Sequence, residues 1–256
     1  MRRAAALALL LSVAACDLPP DPETGSGPVV LATDPADAEL GVDRASGFRV
    51  FFDSLVSPRD VHRGHVRVQS GSRSVYLSPW FEPVERVLHA DLLGAPLDPT
   101  VRYRLWVEGF RSLEGVPMAE RYEITFETGT TTDGSEQPPP PGFEHVRPIL
   151  AGCASDGCHG AARPAVGLDL SSGEAIRRTA IGVVAEQSRV GTQMEVPWHG
   201  APTLDGLAII DVIGGAGRPS RSYLIYELLG DSHAGDLPAD ELLALSLWIR
   251  GGAPTE

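Results

Sequence analysis

Between residues 28 and 129 the chain alternates in steps of two. Phe48, Val50 and Phe52 alternate with Arg49, Phe51 and Asp53, and Tyr103, Leu105 and Val107 with Arg102, Arg104 and Trp106. Tyr122, Ile124 and Phe126 do the same against Glu123, Thr125 and Glu127. Successive side chains of extended backbone point to opposite faces, so this period marks strands with one face buried. The runs are short and separated by Gly, Pro, Asp and Ser, which predicts an all-β sandwich of about seven strands. From residue 143 onward the period changes. Phe143, Val146, Ile149 and Leu150 share one helical face that runs into Cys153. Ser171 with Glu174 reads as a capping-box start for a helix through about Ala180, and residues 222–229 form a third helix stopped by Gly230. Residues 238–250 form the clearest helix, with Leu242, Leu245, Trp248 and Ile249 on one stripe and Gly251-Gly252 at its end. The pattern therefore predicts a multidomain chain, an all-β sandwich over 28–129 followed by a small all-α domain over 143–256.

The segments outside these two blocks carry no period. Residues 130–142 contain four consecutive prolines, an extended spacer between domains. Residues 16–27 are rich in Pro, Gly and acid and read as a flexible tether. Residues 1–15 start Met1-Arg2-Arg3 and continue as an apolar run from Ala4 to Ala15. That is an export signal, since a membrane-spanning helix needs about 20 apolar residues. Its end, Val13-Ala14-Ala15-Cys16, resembles the bacterial lipobox. The resemblance implies cleavage before Cys16, lipidation of its thiol and a protein held at a membrane face. The other reading is an ordinary secretory signal with a free cysteine nearby. Both place the chain outside the cytoplasm, in the cell envelope on a periplasmic or surface-exposed face.

Composition narrows the function. A formal net charge of -13 leaves no basic surface for phosphate, so nucleic acid is not an expected partner. All 21 basic residues are arginine, and the chain has neither lysine nor asparagine, which removes any Asn-linked glycosylation acceptor. No Gly-x-Ser-x-Gly elbow occurs, and Gly214-Gly-Ala-Gly217 lacks the strand and lysine of a phosphate loop. No carboxylate pair stands out for acid–base work either, so the enzyme question stays open between a non-enzymatic electron carrier or binding protein, the favoured expectation, and a haem enzyme such as a peroxidase.

The chemistry is concentrated in Cys153-Ala-Ser-Asp-Gly-Cys158-His159-Gly160. Two cysteines with a histidine after the second form a pattern for covalent haem attachment: each thiol joins a porphyrin vinyl group, and the imidazole reaches the iron. The usual spacing is two residues and this one is four. Three other readings stand beside it: a Cys153–Cys158 disulfide in an oxidising compartment, a zinc site with His159, and the remnant of a haem site that no longer binds. Elsewhere, His62 and His65 stand three apart near a predicted strand; a metal pair is one reading, but rings at that spacing on extended backbone need not converge, and exposed loop histidines are the favoured one. Trp80, Phe81 and Phe51 read either as sandwich packing or as a small apolar patch.

Two family resemblances follow from these residues. Leu97-Asp-Pro-Thr-Val-Arg-Tyr103 looks like a tyrosine corner, and the order Tyr103 to Val107, Gly115, then Thr125-Phe-Glu-Thr-Gly129 resembles bacterial Ig-like domains of the SbsA type. The C-terminal block resembles cytochrome c-like domains of bacterial lipoproteins. The matching residues are the cysteine–histidine motif, Gly167-Leu-Asp-Leu-Ser171, Arg218-Pro-Ser-Arg-Ser-Tyr-Leu-Ile-Tyr226 and Leu247-Trp-Ile-Arg-Gly-Gly-Ala253. That resemblance implies one covalent haem c, with thioether links at Cys153 and Cys158, His159 as proximal iron ligand and a redox partner protein in the envelope. The family carries Met-Pro before its last helix, where this chain has Leu237-Pro238. Leucine has no donor atom, so Met194, His233 or His199 is left as distal ligand, or the iron is five-coordinate, or the site is empty. The alternative function is a haem-free Ig-like surface or scaffold lipoprotein with a Cys153–Cys158 disulfide.

Overall fold

A computed structural model describes residues 25–134, 138–155, 158–189, 201–230 and 237–256. The alternating half folds as two stacked sheets. One has the order β1 (Val30–Asp34), β3 (Phe48–Phe52), β7 (Val87–Leu92), β6 (Leu77–Glu82), all antiparallel. The other has the order β2 (Leu40–Val42), β9 (Tyr122–Thr128), β8 (Arg102–Val107), β4 (Val66–Ser70), β5 (Arg73–Val75), with β2 parallel to β9. The sandwich thus has nine strands where the sequence predicts about seven. β2 and β5 have three residues each, too few to display a period.

The inward positions are those the alternation picks out. Phe48, Val50, Phe52, Leu105, Val107, Ile124 and Phe126 are all buried in one core. Burying a large apolar side chain of this kind contributes roughly 1.5–3 kcal/mol, which is what holds the two faces together. Tyr103 lies flat against Phe126, ring centres 5.7 Å apart, and its phenol oxygen accepts the Asp98 N–H at 3.0 Å. The expected tyrosine corner is therefore present.

The second half departs from the expectation. The predicted architecture, an all-β Ig-like sandwich followed by a separate small all-α cytochrome c-like domain, is overturned. The described residues are mainly β, and the α-helices among them are four short ones: α1 (Phe143–Cys153), α2 (Gly173–Thr179), α3 (Tyr223–Leu229) and α4 (Ala239–Arg250). Between them run 3-10 turns, a ribbon of β10 (Val212–Ile213) with β11 (Ala216–Gly217), and single bridges pairing Ile181 with Ile210 and Ala208 with both Val184 and Ser222. Glycine explains part of this. Gly182, Gly206, Gly214 and Gly215 all sit at positive φ, where they end helical runs and turn extended ones. Four helices do occupy the segments where the helical periods lie. α2 is capped by Ser172, whose hydroxyl accepts the Ala175 N–H at 3.2 Å, and not by Ser171. Among the described residues no helix is long and apolar enough to cross a membrane.

Nor is the second half separate. Val84 of the sandwich is buried in the core of α1, α3 and α4, and Leu113 in a cluster with Leu204, Leu207, Tyr223 and Tyr226. The Thr203 hydroxyl donates to the Leu113 carbonyl across the same seam. Trp80 lies flat on His89 (4.0 Å, 5°), beneath the guanidinium of Arg250 at 4.9 Å, and donates through Nε1 to Asp91 at 3.1 Å. Burial, followed by the charges of Arg49 and Arg250, drives the His89 imidazole down to about 4, so the stack is built on a neutral ring. Trp80 and Phe81 are consequently packing residues: one is covered by α4's last residue, the other lies in the sandwich core.

Glu82 is the polar centre of this seam. It is 1% exposed, one carboxylate oxygen accepts the Glu85 N–H at 2.5 Å, and Ser246 of α4 and Tyr226 of α3 face it. Burial pushes its carboxyl above the usual glutamate value. A folded-state value raised above the unfolded one means that Glu82's contribution is fully present at low pH. It is lost as pH rises from the ordinary glutamate value through the raised one. Glu82→Gln should therefore leave the urea midpoint unchanged at pH 4 and raise it at pH 7.5. An equal offset at both pH values would show that the effect is one of packing alone.

Candidate functional site

α1 ends at Cys153, and the chain then doubles back beneath it. The Cys158 N–H donates to Ser155 O at 3.1 Å and the His159 N–H to Cys153 O, also at 3.1 Å. Gly160 closes the loop. A Cβ there would stand 2.8 Å from Ala154 O and 2.9 Å from Ser155 O, so only glycine fits against the helix end. The two cysteines and the histidine are thereby brought to one place. All three line a cavity of about 460 Å3, inside the roughly 300–1,000 Å3 range of cofactor sites.

The cavity is chiefly apolar. α1 contributes Ile149, the stretch after the motif Leu168 and Leu170, α3 Leu224 and Leu228, and the approach to α4 Leu237. Leu237 therefore stands in the cavity wall, at the position where the resembled family has a donor. Cys153 is half-buried, Cys158 exposed, and both thiols are unbridged. Burial raises the Cys153 thiol, and the neighbouring Cys158 sulfur raises it further, so it holds its proton at neutral pH.

His159 is oriented by its backbone surroundings. Its Nδ1 lies 3.2 Å from the Leu168 carbonyl. A carbonyl oxygen only accepts, so the proton sits on Nδ1 and the ring's lone pair is carried by Nε2. This is the arrangement that fixes ring orientation and raises basicity in metal-binding histidines. The Leu170 N–H in turn donates to His159 O at 2.8 Å, tying the motif to the segment that forms the cavity wall.

A haem fits this donor set and this surface: two thiols and one oriented imidazole on the wall of an apolar cavity. Zinc fits less well, for among the described residues no group of three or more His, Cys, Asp and Glu side chains is placed to hold a metal ion. Met194, His199, His233 and Cys16 lie outside the described residues.

Two further positions differ from the sequence reading. The rings of His62 and His65 do converge, their centres 4.1 Å apart, with His62 Nδ1 accepting the Gly64 N–H at 3.0 Å and His65 packed edge-on to Phe110. His62 is exposed as expected, while His65 is half-buried. The cavity also has polar members that the sequence reading passed over, Gln187, Tyr223 and Glu227. Tyr223 and Glu227 are four apart on α3, which places them on one helical face. That spacing was the available signal.

No family model matches the chain, and no curated protein matches its sequence. Among solved structures, the N-terminal part of the bacterial S-layer protein SbsC is similar over 41% of this chain and 24% of its own, at 14% identity and a TM-score of 0.33. PcoC, a methionine-rich copper resistance protein from Escherichia coli, is similar over 40% of this chain and 99% of its own, at 15% identity and a TM-score of 0.33. CopC from Methylosinus trichosporium OB3b is similar over 43% of this chain and 98% of its own, at 13% identity and a TM-score of 0.32. The chain spans about a quarter of the S-layer fragment's length. None of these three is a cytochrome.

Proposed function

We propose that this chain is an exported protein, lipid-anchored through Cys16 in the cell envelope, that binds one covalent haem c and transfers electrons to or from a partner protein there. The observation that carries the reading is the placement of Cys153, Cys158 and His159 on one wall of an apolar cavity, with His159 Nδ1 committed to the Leu168 carbonyl. The haem would supply a one-electron iron couple. The chain's own residues supply the rest. Cys153 and Cys158 would hold the group through thioether links, and His159 would present Nε2 to its iron. Leu168, Leu170, Leu224 and Leu228 exclude water, which strengthens every charge interaction within the cavity. Export rests on the N-terminal signal, and the anchor on the lipobox resemblance.

Production with a cytochrome c maturation system tests the reading. The expected result is a coloured protein with a Soret band, a mass gain of one haem, and haem stain retained on a denaturing gel. Cys153→Ala/Cys158→Ala should abolish the stain. A colourless wild type with a Cys153–Cys158 disulfide would replace the reading with that of a haem-free scaffold lipoprotein.

A further inference from the structure

Among the described residues, one acid lines the cavity beside the cysteine–histidine motif. Glu227 lines it from α3, and its Oε1 is closed to solvent. Tyr223, one turn earlier, lines it too and is 3% exposed. Tyr223 and Glu227 stand one turn apart on the same face of α3. Burial, and after it the neighbouring Glu227 carboxylate, push the Tyr223 phenol well above the ordinary tyrosine range. The phenol therefore keeps its proton beside the carboxylate. Among the described residues, the other polar members of the lining are Gln187, the two cysteines and His159, and none is an arginine.

We propose that Glu227 is the residue that sets the reduction potential of a centre held by His159; this rests on the covalent-haem reading above. Oxidised iron carries one more positive charge than reduced iron, and a fixed negative charge in the same water-poor cavity favours the oxidised form. Across a cavity of this size, at an effective dielectric of about 20, one unit charge is worth roughly tenfold in an equilibrium. Glu227 therefore lowers the potential, and removing its charge raises it.

The test compares haem-loaded wild type, Glu227→Gln and Glu227→Asp by redox titration at one pH. Glu227→Gln should shift the reduction equilibrium about tenfold toward the reduced form, ~59 mV for one electron. Glu227→Asp keeps the charge and should stay near wild type. If Glu227→Gln loads poorly, Glu227→Ala removes the same charge and should shift in the same direction. A second readout needs no haem. In haem-free protein with labelled tyrosine rings, the Tyr223 Cζ resonance, assigned with Tyr223→Phe, should move in Glu227→Gln and stay in place in Glu227→Asp. Loaded variants with the wild-type potential overturn the proposal and leave the haem reading standing. Colourless wild-type protein removes both.

Discussion

Trp248→Ala is expected to destabilise the protein by about 3–5 kcal/mol, enough to unfold much of it under mild denaturant. Trp248 is 0% exposed and fills the middle of the core formed by α1, α3 and α4, with Phe143 stacked obliquely at 6.4 Å. Truncation there leaves a cavity walled by the buried side chains of α1, α3 and α4, and a close-packed core of this kind relaxes only in part to close it. A polar loss is added. Trp248 Nε1 donates to the Pro254 carbonyl at 2.8 Å, and the Ala253 N–H returns a bond to Trp248 O at 3.0 Å. Together these bonds fold the last residues over the helix end. Trp248→Phe keeps most of the apolar surface but orphans Pro254 O, and should cost about 1–2 kcal/mol. Urea unfolding followed by near-ultraviolet circular dichroism measures both. An alanine variant within 1 kcal/mol of wild type would mean that this core repacks freely.

The second large effect is expected at Asp60, on the sandwich side. Asp60 is 2% exposed and accepts three hydrogen bonds from one residue: the Arg111 backbone N–H at 3.0 Å, Nε at 3.0 Å and Nη2 at 2.6 Å. These bonds tie the turn at Pro58–Asp60 to the strand-like stretch around residue 111, where the Ser57 N–H also donates to Arg111 O. Removing one partner of a buried pair costs about 3–5 kcal/mol when the other is left without water. The Arg111 side chain is 44% exposed and rehydrates readily, so Asp60→Ala should cost less, about 2–3 kcal/mol. Asp60→Asn retains an acceptor for the backbone N–H and should recover roughly half of that. Unfolding midpoints in low and high salt separate the two parts, since only the ionic part is screened. A salt-independent loss, equal in both variants, would show that the charge contributes nothing.

What could be read beforehand divides along physical lines. Strands β3, β8 and β9 are five to seven residues long and half-buried, so their alternation is visible without a structure. The same holds for the stripe of α4, where Leu242, Leu245, Trp248 and Ile249 are all buried. The segments that overturned the all-α expectation are different in kind. The bridges at Ile181, Val184, Ala208 and Ile210 involve single residues, and one residue has no period. The seam was equally hidden, because Val84 and Leu113 lie in turns and reveal their role only through residues more than sixty positions away. At the site, the spacing of Cys153, Cys158 and His159 announced their chemistry, whereas the Leu168 carbonyl that orients His159 has no side-chain signature. Tyr223 and Glu227 were legible in principle as an i, i+4 pair, but they stood within a stretch already accounted for by a family likeness.

The shared seam has a consequence for how such a chain arises and changes. Modules joined by a proline-rich run are ordinarily exchangeable, because each carries a closed surface to its new neighbour. Here neither half is closed: the helical half needs Val84 and Leu113 to complete its packing, and the sandwich needs Ser246 and Arg250 to cover Glu82 and Trp80. Recombination at residues 130–142 would separate residues that only make sense together. The two halves are therefore bound to be inherited as a pair, and substitutions on one side of the seam must be answered on the other.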